Sequence, residues 1–144
     1  PRYRAAYANR AIAYTTTREY EKSIADSRRA VELEPRNPNN YLEYGSIGAA
    51  FQRLNRNDSA YVAFDRAIGL NPGYPEGLNN RGVMKVWRGD LAGAVADFSR
   101  AIAASPGYRD AYANRAIAYV KMHEYEKSKA DRRRALELAK GARN

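Results

Sequence analysis

The sequence predicts an all-α solenoid of helix-turn-helix units, and three observations predict it. The stretch from Tyr7 to Pro35, YANRAIAYTTTREYEKSIADSRRAVELEP, returns almost unchanged from Tyr112 to Lys140 as YANRAIAYVKMHEYEKSKADRRRALELAK. Prolines at 35, 72 and 106 close successive segments, at spacings of 37 and 34 residues. Small residues recur at fixed places within those segments, Ala11, Ala30, Ala67, Ala101 and Ala135 among them. A repeat of about 34 residues marks stacked helix pairs, because no single pair can bury its apolar face alone.

Four repeats follow, at about 4–37, 41–74, 75–108 and 109–142, in a single domain spanning 1–144 and holding about eight helices. In the first repeat, Tyr7, Ala11 and Tyr14 recur at i, i+4 and i+7, one face of a helix. Thr15, Thr16 and Thr17 break that period and predict a turn. Tyr20, Ile24, Ala30, Val31 and Leu33 then mark a second helix. It ends before Pro35, which lacks the backbone N–H that a helix needs. The second and third repeats end the same way, in FDRAIGLNP and FSRAIAASP. Alanine at the repeated small positions lets helices approach closely, where a larger side chain overpacks the seam. Pro1-Arg2-Tyr3 matches the inter-repeat segment Pro106-Gly107-Tyr108, so the sequence reads as starting in mid-array, as a piece of a longer protein.

Composition narrows the function. A hydrophobic content of 44% and a charged content of 28% belong to a folded soluble chain rather than a disordered one. The absence of cysteine excludes disulfides, thiolate metal sites and a cysteine nucleophile, and suits cytoplasm or periplasm alike. No apolar run is long enough to span a membrane. The net charge of +9 is uneven. Residues 1–37 hold 8 basic and 5 acidic side chains, residues 38–108 hold 7 and 6, and residues 109–144 hold 10 and 5. The excess therefore lies in the outer repeats.

The pattern resembles the tetratricopeptide repeat, whose signature sets a large residue, then Leu-Gly, an aromatic, Ala, Phe and Pro at fixed spacings. The second repeat carries it as Tyr44, Ile47-Gly48, Phe51, Ala60, Phe64, Ala67 and Pro72, and the third as Leu78, Arg81-Gly82, Ala94, Phe98, Ala101 and Pro106. The outer repeats match at Tyr7/Tyr112, Arg10-Ala11/Arg115-Ala116, Tyr14/Tyr119, Ser23/Ser128 and Ala30/Ala135. Such repeats are frequent in bacterial proteins. The resemblance implies a right-handed superhelix, with the first helix of each pair lining a concave groove that holds a partner's peptide segment.

Departures from the pattern predict local differences. Ser27 stands where Phe is expected, and Pro35-Arg36-Asn37-Pro38-Asn39-Asn40 adds three residues, a longer and stiffer connection. Lys85 replaces an aromatic, which predicts thinner packing in the third repeat. Arg132 at the Phe position and Lys129 opposite Ile24 predict a solvated face that caps the array. Residues 1–34 and 106–139 share 24 identities, including the surface run Glu19-Tyr20-Glu21-Lys22. Packing alone does not predict identity in a surface run, so a recent duplication is the simplest origin. Self-association through repeat ends is the functional alternative.

Carried onto this chain, the family's groove positions form a polar ladder of Asn9, Ser46, Asn80 and Asn114. Beside it run Ile12, Ala49, Val83 and Ile117, with Thr16, Arg53, Trp87 and Lys121 at the far ends of the same helices. Asparagine both donates and accepts, which suits a peptide backbone, and an apolar row suits inserted side chains. The blander reading has these asparagines satisfying neighbouring turns, and Trp87 covering a packing gap. A subset of the family clamps the C-terminal carboxylate of chaperones with Lys, Arg and Asn. Its positions hold Ala8, Ile12, Ser46, Glu76 and Asn80 here, or Gly45, Ala49, Asn80, Asp110 and Asn114, so that clamp is not expected.

The basic runs Ser27-Arg28-Arg29 and Arg132-Arg133-Arg134 fall on second helices among Asp26, Glu32, Asp131 and Glu137. Pairing at i,i+3 and i,i+4 makes them solvated faces in preference to a nucleic-acid or membrane surface. His123 is the single histidine, and no catalytic, cofactor or metal constellation appears. The chain reads as a non-enzymatic scaffold for a protein or peptide partner.

Overall fold

The structure, a computed structural model, describes residues 2–141; Pro1, part of the expected mid-array opening, lies outside them. All regular structure there is helical: α1 (Arg2–Thr16), α2 (Tyr20–Leu33), α3 (Asn40–Arg53) and α4 (Asn57–Leu70), then α5 (Pro75–Trp87), α6 (Leu91–Ala104), α7 (Arg109–Lys121) and α8 (Tyr125–Gly141). Each repeat is one helix pair. The chain divides into two compact units, residues 1–72 with α1–α4 and residues 73–144 with α5–α8. No helix among the described residues is long and apolar enough to cross a membrane.

Both units use one packing rule. Helices of a pair lie against each other, the second helix of one pair packs on the first helix of the next, and the first helices α1 and α3, or α5 and α7, also touch. Among the described residues α2 and α4 make no such contact, so α3 floors a furrow between them. Alanine creates the close seams: Ala30, Ala60, Ala67, Ala94, Ala101, Ala111 and Ala118 are wholly buried. Phe64 and Phe98 are the largest fully buried side chains, each filling the space inside its own pair. Glycine is required there. A Cβ on Gly48 would fall 2.6 Å from the Phe64 ring, and one on Gly82 would fall 2.6 Å from the Phe98 ring. Where phenylalanine is absent, at Ser27 and Arg132, the facing residue is Ala11 or Ala116 instead.

The turn inside each pair places one residue in the left-handed region. Arg18 (φ 62°), Asn55 (φ 57°), Gly89 (φ 82°) and His123 (φ 61°) occupy it in the four repeats. A residue with a Cβ pays strain there, asparagine less than most. Arg18→Gly and His123→Gly are each expected to raise unfolding free energy by about 0.5–1 kcal/mol. Asn55→Gly should change it little. Denaturant titration of the three variants tests this; equal effects at all three sites would refute it.

An Arg–Asp pair spans helices in three of the four repeats. Arg10 Nη2 donates to Asp26 at 2.8 Å, Arg81 Nη2 to Asp97 at 2.7 Å and Arg115 Nη2 to Asp131 at 2.7 Å. Both the guanidinium and its carboxylate are therefore satisfied where they leave water, as a buried charge must be. Lys85 joins one of these pairs. Its stem is mostly buried and its ammonium lies 2.9 Å from Asp97, so an ionic contact stands where the aromatic is missing. The surface run shared by repeats one and four also has a packing role. Lys22 pairs with Glu19 and lies over the Tyr14 ring, while Lys127 pairs with Glu124 and lies over Tyr119. Its identity therefore does not require history alone.

The added connection is tied down by its asparagines. Asn40, almost fully buried, donates to the Glu34 carbonyl at 2.8 Å and accepts from Arg4, which also meets Glu43 at 3.0 Å. In the last repeat Lys129 and Arg132 are exposed and only Ser128 and Asp131 of α8 are buried, a solvated face as the sequence predicts.

Candidate peptide-binding groove

All the expected groove positions lie on first helices: Asn9, Ile12 and Thr16 on α1, Ser46, Ala49 and Arg53 on α3, Asn80, Val83 and Trp87 on α5, Asn114, Ile117 and Lys121 on α7. None is buried. In the first unit Ile12 is 62% exposed. The second unit draws several of these positions into a concavity. A cavity of about 320 Å³ is lined by Val83, Trp87, Asn114, Ile117 and Lys121, together with Val86 and Phe98.

The floor follows from the pair packing. Phe98, Ala94 and Ala118 form a fully buried cluster with Val83, Val86 and Val95 against it, so the bottom of the cavity is apolar. Trp87 sits at the last residue of α5, where Gly89 turns the chain, and its side chain is 78% exposed. A tryptophan so exposed does not cover a packing gap. Ile117, 49% exposed, faces the same space from α7, and Lys121 adds a positive charge at the helix end.

The asparagine ladder is organised by a residue that sequence reasoning missed. Asn79, 4% exposed, accepts from Asn114 Nδ2 at 2.8 Å and donates to Asn80 Oδ1 at 3.2 Å. Asn79 thus joins α5 to α7 and fixes both half-buried amides. Asn80 keeps its Nδ2 donor and Asn114 its Oδ1 acceptor, one of each sign, which suits the C=O and N–H of a peptide unit. The signal was present as the doublet Asn79-Asn80, but only packing distinguishes its buried member from its half-buried one. Asn9 and Ser46 lie on the first unit, and among the described residues neither joins such a chain.

The basic runs are solvated faces for the most part. Arg29 meets Glu32 at 3.0 Å and Arg134 meets Glu137 at 3.2 Å, both i,i+3 pairs on exposed surface. His123 lies in the αL turn, its ring nitrogen 3.0 Å from the Tyr125 hydroxyl.

Eight helices in paired helix-turn-helix units, with glycine facing phenylalanine and alanine along the seams, define a helical-repeat scaffold. The first and fourth repeats are tetratricopeptide repeats: the family described as Tetratricopeptide repeat matches residues 5–37 and 110–141. Such domains are generally protein-interaction modules and typically non-enzymatic. No curated protein gives a significant sequence match to the chain. Among solved structures it is similar to MamA, at 21% identity and a TM-score of 0.84, over 98% of this chain and 81% of that one. A tetratricopeptide repeat protein from Parabacteroides merdae ATCC 43184 gives 18% identity and 0.84, over 96% of this chain and 54% of that one, about half the longer protein. The first such domain of Spaghetti (RPAP3), bound to the HSP90 peptide SRMEEVD, gives 19% identity and 0.70, over 90% and 92%. At these identities the likeness establishes the fold.

Proposed function

We propose that the chain is a scaffold whose α5–α7 groove holds a peptide segment of a partner protein. The observation that carries the reading is Trp87, exposed at the mouth of an apolar cavity that the expected groove positions Val83, Asn114, Ile117 and Lys121 line together with Val86 and Phe98. An apolar side chain of the partner enters between Trp87 and Ile117, above Phe98. The free Nδ2 of Asn80 and Oδ1 of Asn114 orient its backbone, and Lys121 favours an acidic neighbour. Solvent expelled from a concave apolar surface supplies the driving force, and the amides supply register.

The ligand differs from the one in the HSP90-peptide complex, because neither set of clamp positions in this chain holds lysine or arginine. Capture from source-cell extract by wild type and by Trp87→Ala tests the reading. Truncating a tryptophan anchor is expected to weaken retention by about 2 kcal/mol or more, with melting temperature unchanged because Trp87 is exposed. Asn114→Ala is a poorer probe, since it strips buried Asn79 of its donor and costs about 1–3 kcal/mol of stability. Equal retention by both proteins refutes the groove, and retention of the chain itself alone favours self-assembly through repeat ends.

A further inference from the structure

The furrow between the second helices of the first unit tells a separate story from the groove just described. It encloses about 590 Å³ between α2 and α4, over a floor of Tyr44, Ile47 and Phe51 from α3. In the second unit the matching place is filled from within. There Arg115, on α7, reaches Ser99 on α6 at 2.9 Å and Asp131 on α8 at 2.7 Å, and lies over the rings of Tyr112 and Tyr119. The first unit keeps both rings, as Tyr44 and Phe51, but changes every member of that plug. Ile47 stands for Arg115, Ala63 for Asp131 and Arg28 for Ser99. The short Ile47 and Ala63 leave the space open, and Val31 and Val62 make its walls apolar.

The rim is charged in a way that selects an occupant. Arg28 lies 5.8 Å from the Phe51 ring and Arg66 lies 5.5 Å from the Tyr44 ring. Neither guanidinium has a carboxylate partner among the described residues; Arg66 lacks the glutamate that Arg134 finds in Glu137, because Gly69 occupies that place. Of the two acids at the rim, Glu32 is already held by Arg29, and Asp58 is also engaged. Two stacked, unneutralised arginines flanking an apolar hole match a segment with a bulky apolar side chain between carboxylates. We infer that the α2–α3–α4 furrow is a second docking site, for an acidic peptide segment that seats an apolar side chain on Ile47 and pairs its carboxylates with Arg28 and Arg66.

Two fluorescein-labelled peptides, DDLFDD and KKLFKK, titrated against the full chain by fluorescence anisotropy, test this. The acidic peptide is expected to bind at least about tenfold tighter than the basic one. Ile47→Arg/Ala63→Asp rebuilds the plug of the other repeats and should weaken the acidic peptide about tenfold or more, with no fall in melting temperature. Arg28→Ala/Arg66→Ala, on the surface, should weaken it similarly, and decides the matter if the refilled variant does not fold. Trp87→Ala should leave this binding intact, which separates the furrow from the α5–α7 groove. Equal affinity for both peptides, or undiminished binding by the arginine variant, overturns the proposal. Displacement by a single-stranded oligonucleotide of equal charge assigns the arginines to phosphate and overturns it too. So does a wild-type dimer, seen by sedimentation, that the refilled variant abolishes.

Discussion

Replacing Asp97 by alanine is expected to destabilise the second compact unit by about 3–5 kcal/mol, the cost of stranding buried cations. Asp97 is 2% exposed and accepts from Arg81 Nη2 at 2.7 Å and from Arg81 Nε at 2.8 Å, with the Lys85 ammonium at 2.9 Å. The Arg81 and Lys85 side chains are only 12% and 16% exposed. Removing the carboxylate leaves two positive charges in a place where water cannot fully reach them. Asp97→Asn keeps an acceptor and should cost less.

The same network sets a pH dependence. Burial pushes the Asp97 carboxyl up, but hydrogen bonds and charge from Arg81 and Lys85 outweigh it and hold the group below its ordinary value of 3.8. The unfolded chain therefore takes up this proton first as pH falls. The stabilisation is complete above the unfolded value and is lost as pH drops through the folded one. Denaturant titrations between about pH 7 and pH 2 should show a steeper acid loss for wild type than for Asp97→Asn. Identical slopes, or a loss below about 1 kcal/mol in Asp97→Ala, would show that the ion pairs contribute little.

The second large effect concerns the glycine–phenylalanine seam. Phe64→Ala is expected to cost about 3–5 kcal/mol, because Phe64 is wholly buried and its removal leaves a ring-sized void. Gly48→Ala alone should cost about 1–3 kcal/mol, partly offset by alanine's better helix propensity, since the new methyl meets the ring at 2.6 Å. In the Phe64→Ala background the same Gly48→Ala change should reverse sign and stabilise. The first and fourth repeats already pair Ala11 with Ser27 and Ala116 with Arg132. A double-mutant cycle measures the coupling, and additive effects would refute the seam as described.

Much of this architecture was legible in the residues because each repeat restates the same periodicity. Apolar spacing and the prolines after the second helices placed the helix pairs, and the groove positions fell on first helices as the family pattern implied. The turn expected over Thr15–Thr17 begins only at Thr17, because α1 continues through Thr16 and the Thr15 and Thr16 hydroxyls bond back to the carbonyls of Ala11 and Ile12 within the helix. The ionic contact of Lys85 was not legible, for a physical reason. Within its own helix a lysine in an aromatic's place looks like lost packing, and its partner Asp97 lies on the other helix of the pair. The furrow was missed because Ile47 and Ala63 look like ordinary core residues. Their meaning comes from the Arg115–Asp131 plug that they replace.

The sequence by itself determined the class of fold, the number of helix pairs and the faces on which alanine, glycine and phenylalanine meet, since these follow from local period and side-chain volume. Tertiary structure decided which of the candidate groove residues converge. Concavity depends on the distance between neighbouring helices, and in the second unit Val83, Trp87, Asn114 and Ile117 line one space. It also decided which polar groups are spent internally, as with the amide of Asn79 between Asn80 and Asn114, and which remain available, as with the guanidinium groups of Arg28 and Arg66. Hydrogen bonds between side chains 35 residues apart are set by packing and leave no local pattern in the chain.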